Sequence, residues 1–277
     1  MYQITYTFFR NRERIVTASY LLSPEGLTGL ARYVAPDTLF AFDLDGTLAP
    51  ITEDHTATQI AEPIRNILVR LVKLATVAVI TGRARSDALA ILGFEPHLLV
   101  GNHGAEWPPQ EGKPNNQLHE VCLTWSKRLQ DLLGYEQGVE IDNKGASLTL
   151  HYGKADDAEK ALSQINAAIE TLVPAPRRIS GKFDVNLLPM EAMTKGDALL
   201  AAMKMFGLKR AIFIGDDVTD EDVFKLKLGD IFGIHIGTFA PTVAPYYLNT
   251  QSEVQGLLNS MVDILEKHRQ EGETGQL

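Results

Sequence analysis

Five short apolar runs recur along this chain: TLFAF from residue 38, TVAVI from 76, HLLV from 97, AIFIG from 211 and FGIHIG from 232. A strand that is apolar at successive positions has no face to offer to water, so it must be covered on both sides. The segments between the runs supply the covers. EPIRNILVRLVKLA places Ile64, Ile67, Leu68, Leu71 and Leu74 at helical spacing, and SDALAIL, KGDALLAAMKMF, EDVFKLK and SEVQGLLNSMVDILEKH read as further helices. Strands alternating with helices in this way predict an α/β fold built on a Rossmann-like parallel sheet.

The rhythm breaks after GNHGAEWPPQEGKPNNQ, a stretch rich in Pro, Gly and polar residues that reads as a linker. Beyond it lie a helix around HEVCLTWSKRLQDLL, half-buried strands at VEI and ASLTLHY, a helix over DDAEKALSQINAAIETL, and a hairpin in which GKF joins RRIS to DVNLL. These predict an inserted α+β domain over residues 107–189, which splits the core domain into 37–106 and 190–277. Residues 1–36 are left as an N-terminal extension. Within it Tyr2, Ile4, Tyr6 and Phe8 share one parity, as in a short amphipathic strand or a loosely packed tail. Its basic residues follow the apolar ones, the reverse of a signal peptide.

The chain has 277 residues, 45% hydrophobic and 22% charged, with a formal net charge of -9. It has no dense Lys/Arg block. Neither nucleic acid nor an anionic membrane is an expected partner, and no apolar stretch reaches membrane-spanning length. The single cysteine, Cys122, excludes an internal disulfide and suits the reducing cytoplasm; it is expected in the core of the inserted domain's first helix. A monomer is expected.

AFDLDGTLAP ends an apolar strand with Asp43 and Asp45 on one parity. Two neighbouring carboxylates at a buried strand end require a cation or a proton. GDDVTDE, residues 215–221, ends another strand in the same manner. Functional groups of open α/β sheets collect at the carboxyl ends of strands, so the two clusters can converge on one cation. Carboxylate and carbonyl oxygens without Cys or a His pair favour Mg²⁺ over zinc. Beside Mg²⁺, Asp43 is a plausible nucleophile toward phosphorus, and Asp45 suits proton transfer to the leaving oxygen and then from water. Thr81 and Lys195 are placed to hold phosphate oxygens, although Thr81 also suits a helix cap. Asp217 and Asp220 each fit either a cap or a supporting place at the cation.

DLDGT, Thr81 in ITGR, Lys195 in TKG and GDDVTD together resemble the four ordered motifs of the haloacid dehalogenase superfamily. The resemblance implies Asp43 as nucleophile and Asp45 as acid/base. It also implies Mg²⁺ held by the Asp43 side chain, the Asp45 backbone carbonyl and Asp216, with Asp217 and Asp220 supporting, and a larger-type cap as the insert. Asp45, two residues after the nucleophile, points to a phosphatase. FDLDGTLAPI, ITGR, GNHGAE, EIDNKGASLTLHY and GDDVTDE more narrowly resemble trehalose-6-phosphate phosphatases, which implies a trehalose 6-phosphate substrate and a place in trehalose biosynthesis. Gly46, Thr47, Arg83, Asn102, His103 and Glu106 then line the core side of the substrate cleft, and Asp142 and Lys144 contact the sugar from the cap. The string departs from the family at Gly153, where a cation is common, and at Asn186 and Leu188, where the family commonly has Glu and a basic residue. Asn186 is expected to give the sugar neutral hydrogen bonds.

Other readings share parts of this pattern. The same chemistry on another glycosyl phosphate, such as a glucosylglycerol phosphate or a mannosyl- or glucosyl-phosphoglycerate, uses the same core residues. A sugar phosphomutase would replace water with a hydroxyl. A signalling receiver also clusters aspartates with Thr and Lys, but lacks DGT and an insert. A non-catalytic binding module would be marked by loss of Asp43, Asp45, Lys195 or Asp216, all of which are present.

Overall fold

The computed structural model describes residues 18–52, 57–108, 116–181, 183–226, 229–238 and 242–274. The alternating Tyr2–Phe8 stretch and linker residues 109–115 lie outside the described residues. The first elements are β1 (Ser19–Tyr20), α1 (Pro24–Tyr33), β2 (Thr38–Phe42), α2 (Glu62–Val72), β3 (Thr76–Ile80), α3 (Arg85–Leu92) and β4 (Leu98–Val100). The insert contributes α4 (Asn116–Leu133), β5 (Glu140–Asn143), β6 (Leu148–His151), α5 (Ala158–Ile169), β7 (Arg177–Ser180) and β8 (Asp184–Leu188). The core resumes with α6 (Lys195–Phe206), β9 (Arg210–Gly215), α7 (Glu221–Phe224), β10 (Ile231–Ile236), β11 (Tyr246–Leu248) and α8 (Val254–Thr274). Among the described residues, no helix is long and apolar enough to cross a membrane.

Seven strands pair in the order β1-β11-β10-β9-β2-β3-β4, every pairing parallel. The period-2 geometry of a strand divides each apolar run between two faces. Phe40, Phe42, Val77, Val79, Ile212 and Ile214 pack with α1, α2, α3 and α8, whereas Leu39, Ala41, Ala78, Ile80, Ala211 and Phe213 pack with α6 and α7. The chain winds outward in two directions from the adjacent pair β2 and β9. Their carboxyl ends therefore lie side by side at the switch in strand order, where such sheets form their sites.

The insert is the expected α+β cap. Its antiparallel sheet runs β5-β6-β8-β7. Leu148, Leu150, Val185 and Leu187 face α4 and α5 and bury Cys122 and Trp125. The opposite parity carries Asp142, Thr149 and Asn186, aligned across three strands. Leu118 and Leu188 of the cap pack with Ala105 and Ala192, docking the cap on the core.

Part of the expected N-terminal extension is integral to the core. Ser19–Tyr20 extends the sheet beside β11, and Leu21, Leu30 and Val34 are buried in the larger core cluster. Ser23 caps α1 by accepting from Gly26 N–H, and Pro24 opens the helix. Two-residue β1 is too short to show an apolar pattern, and β11, unlike the equally short β4, carries two half-buried tyrosines rather than an aliphatic run. Leu30→Ala should therefore cost about 2–5 kcal/mol in urea unfolding, the range for deleting a buried leucine side chain; an unpacked extension would leave the midpoint unmoved.

Candidate active site

Asp43 directly follows β2 and donates its N–H to the Ile214 carbonyl of β9 at 2.9 Å, so the first aspartate is held by the sheet itself. The chain then turns at Gly46, whose φ of 77° is in the left-handed region. A Cβ there would collide with the Asp216 carboxylate, so glycine is what lets the two motifs meet. Thr47 Oγ donates to Asp216 Oδ1 at 3.1 Å.

Lys195 opens α6 and is 1% exposed. A reciprocal cap pins the helix start: Thr194 Oγ accepts from Asp197 N–H, and the Asp197 carboxylate accepts from Thr194 N–H. The Lys195 ammonium lies 3.0 Å from Asp43 Oδ2 and 2.7 Å from Asp220 Oδ1. Asp220 Oδ2 accepts the N–H groups of Asp216 and Asp217, each at 2.9 Å, so the loop after β9 closes around its own carboxylate.

Ligand atoms of Asp43, Asp216 and Asp220 lie within 4.8 Å of one another. One buried ammonium among three carboxylates leaves two formal negative charges uncompensated. Burial pushes the Asp43 carboxyl well above its ordinary pKa; Lys195 opposes that, and Asp220 and Asp216 add to it. Burial and the Asp220 charge push Asp216 up to about 7, and burial also raises Asp220. Burial disfavours the Lys195 ammonium, but Asp220 and Asp43 more than reverse that and raise its pKa. Three hard oxygen donors with excess negative charge suit a small divalent cation.

The second aspartate of DLDGT is held separately. Arg83 grips Asp45 in a two-pronged pair, Nη2 to Oδ1 at 2.6 Å and Nε to Oδ2 at 2.7 Å, while Nη2 also donates to Thr58 Oγ at 2.9 Å. Thr81 Oγ accepts from Arg83 N–H at 3.2 Å, shaping the ITGR turn. Thr81 itself is 1% exposed.

A family model described as Trehalose-phosphatase matches residues 41–250. This chain belongs to the trehalose-phosphatase family. It is 31% identical over 240 residues to trehalose-6-phosphate phosphatase of Escherichia coli (strain K12), covering 83% of this chain and 88% of that one. It is 27% identical over 244 residues to trehalose-phosphate phosphatase B of Arabidopsis thaliana, covering 80% of this chain but 65% of the relative, so it spans slightly less than two thirds of that plant protein. In fold, it superposes on a trehalose-6-phosphate phosphatase related protein with a TM-score of 0.68 at 21% identity, covering 83% of this chain and 100% of that one. The C-terminal domain of C. albicans trehalose-6-phosphate phosphatase gives 0.66 at 20% identity, covering 91% and 99%.

In this trehalose-phosphatase family member, the expected site residues separate into groups. Asp43, Lys195, Asp216 and Asp220 converge, with Gly46 and Thr47 against Asp216. Asp217 is turned away: its side chain accepts from Val218 N–H at 2.7 Å and from Thr219 Oγ at 3.3 Å, as a cap. His103, in the turn after β4, lies against Gly82 where a Cβ would strike its ring. Burial, with Lys195, Lys144 and Arg177 nearby, holds His103 well below its usual pKa. Glu106 Oε2 accepts from Arg85 N–H at 2.8 Å and Asn102 Nδ2 at 2.9 Å, supporting that turn. On the cap, Lys144 lies 4.0 Å from Asp142. Asn186 accepts from Thr149 Oγ at 2.7 Å and donates to Asp184 at 2.9 Å, which among the described residues leaves one N–H and one lone pair. Thr58 and Ser147 escaped the sequence reading. Ser147 shares the polar parity of Thr149 and His151, a signal present in ASLTLHY, whereas Thr58 falls in a loop with no periodicity.

The carboxylate cluster fixes a pH response. Asp216 holds its proton up to about pH 7 when folded, against 3.8 as the ordinary value. The folded state therefore binds more protons between these values, and stability falls as pH rises through them. Buried His103 works the other way up to its ordinary pKa, so the Asp216 contribution is read against Asp216→Asn: between pH 5 and pH 7.5 the thermal midpoint of the metal-free protein should fall relative to that of the variant, and Mg²⁺ should raise the parent's midpoint more at pH 7.5 than at pH 5. Calorimetry in chelator and in excess Mg²⁺ checks both signs.

Proposed function

We propose that this chain is a Mg²⁺-dependent phosphatase that hydrolyses trehalose 6-phosphate to trehalose and phosphate through an aspartyl phosphate on Asp43. The observation that carries the reading is a buried strand-end carboxylate ion-paired to Lys195, with Asp45 held two residues on by Arg83. The sequence likeness to the Escherichia coli trehalose-6-phosphate phosphatase supports the substrate.

Asp43, Asp216 and Asp220 would hold the cation, together with the Asp45 backbone carbonyl. When bound, Mg²⁺ would neutralise the carboxylate excess and screen the repulsion between Asp43 and a phosphate dianion. Asp43 Oδ attacks phosphorus while the ester oxygen leaves and takes a proton from Asp45, whose carboxyl Arg83 keeps in position. Deprotonated Asp45 then removes a proton from water as that water attacks the phosphoryl group, which restores Asp43 and releases phosphate. Lys195 and Thr81 hold phosphate oxygens during both steps. Residues 107–189 act as the cap over the sugar, with Asp142, Lys144 and Asn186 presenting polar groups to its hydroxyls. The single cysteine, free and buried in the cap, suits a reducing cytoplasm.

Asp43→Asn should lower phosphate release by more than about a thousandfold with the fold intact, because it removes the nucleophile and one charge from a site held by the sheet. Phosphate release is then compared across a panel of sugar phosphates with and without Mg²⁺. Trehalose 6-phosphate should exceed glucose 6-phosphate by at least about tenfold in kcat/KM, because cap hydrogen bonds are realised only with the second glucose. A clear win for another glycosyl phosphate would remove the trehalose assignment and leave the phosphatase. Lys144→Ala should cut turnover of the disaccharide phosphate more than that of p-nitrophenyl phosphate.

A further inference from the structure

Asn102 sits at the contact between core and cap in an unusual state. It is fully buried, and its φ of 50° lies in the left-handed region, which asparagine tolerates better than most residues. Its backbone N–H donates to the Arg83 carbonyl at 2.8 Å, tying it to the loop whose Arg83 side chain grips Asp45. Its carboxamide reaches in two directions. One Nδ2 proton goes to Glu106 Oε2 within the same turn, at 2.9 Å. The other goes to the Lys144 carbonyl of the cap at 3.2 Å, and Oδ1 accepts from Ser147 Oγ of the cap at 2.8 Å. Both N–H groups are therefore used, and neither remains for a sugar hydroxyl.

The two cap partners belong to one turn. Lys144 N–H donates to the Ser147 carbonyl at 3.0 Å, Ala146 N–H donates to the Lys144 carbonyl at 3.1 Å, and Asn143 Oδ1 accepts from Gly145 N–H at 2.9 Å. This self-braced turn carries Lys144, whose side chain is 16% exposed and whose ammonium faces Asp142 at 4.0 Å. Holding the turn at Lys144 and Ser147 thus fixes where that ammonium stands relative to the core.

We propose that Asn102 is a positioning residue: its side chain is the clasp that makes docking of the cap and placement of Lys144 a single event. This rests on the reading that the cap closes over a sugar phosphate. It differs from lining the core side of the substrate cleft, the role that resemblance suggested for Asn102. Glu106 belongs to the clasp rather than to the sugar site, because its Oε2 orients the carboxamide by accepting from one side. Two neutral hydrogen bonds to the cap bias docking by about tenfold to a hundredfold together, enough to favour closure and still allow product to leave.

The test uses Ser147→Ala, which removes one cap partner, and Asn102→Gly, which removes the carboxamide but keeps the left-handed backbone. Rates on trehalose 6-phosphate and p-nitrophenyl phosphate are compared for each, and radii of gyration are measured with Mg²⁺, beryllium fluoride and trehalose. Ser147→Ala should raise KM for the disaccharide phosphate about fivefold or more, with p-nitrophenyl phosphate turnover within about twofold of the parent. Asn102→Gly should do more, and the double variant no more than Asn102→Gly alone, since Ser147 acts through Asn102. Both variants should stay more expanded than the parent under the same ligands. Equal losses on both substrates, additive effects, or parent-like compaction in both variants would overturn the clasp. If the parent itself shows no preference for trehalose 6-phosphate, the substrate reading fails, and radii measured without ligand decide the clasp: both variants should be more expanded than the parent, whose cap is docked without ligand.

Discussion

A lysine ammonium enclosed between two aspartates is the contact on which the rest of this molecule depends. Lys195 is 1% exposed and Asp220 is fully buried, so neither charge has water to fall back on. Removing the Lys195 ammonium would leave uncompensated buried carboxylates, which is far costlier than losing a surface ion pair. The three residues come from the end of β2, the start of α6 and the loop after β9, and the whole cap separates the first from the other two in sequence. Their meeting requires β2 and β9 to be neighbours in the sheet, and requires α6 to begin at one position. The Thr194–Asp197 cap supplies the second requirement.

The same site is left deliberately short of positive charge. Three carboxylates share one ammonium, and burial raises the pKa of each, most legibly Asp216. Such a cluster is a poor resting arrangement for a protein alone and a good one for a protein that takes up a divalent cation. Asp45 stands outside this cluster. Its pairing with Arg83 gives the second aspartate of DLDGT a different environment from the first, which is the physical condition for two adjacent carboxylates to take different roles.

The cap repeats the division at a larger scale. One parity of its sheet buries Leu148, Leu150, Val185 and Leu187 against its own helices, so the cap has a core of its own. The other parity is polar across Asp142, Thr149 and Asn186. Contact with the core is a small apolar cluster around Leu118 and Leu188, the neutral hydrogen bonds of Asn102, and one hydrogen bond from the Arg177 guanidinium to the Met193 carbonyl at 3.3 Å. A small, mostly uncharged contact is suited to being made and broken.

The parallel sheet, the insert and the converging residues Asp43, Lys195 and Asp216 were all legible in the chain, because they rest on local signals. Continuous apolar runs, helical spacing, turn residues and short motifs are properties of neighbours along the sequence. Ser19–Tyr20 and Tyr246–Leu248 were not legible, since neither carries the continuous aliphatic run that marks the equally short Leu98–Val100, and both gain their stability from partners in the sheet. The sequence by itself determined which residue types stand at the strand ends and hence the chemistry available there. Only the tertiary structure decided how they divide: Asp220 to Lys195, Asp217 to its own turn, Arg83 to Asp45, and both N–H groups of Asn102 to Glu106 and the cap. Which partner a polar group takes depends on distances between segments far apart in the chain, and those are set by packing.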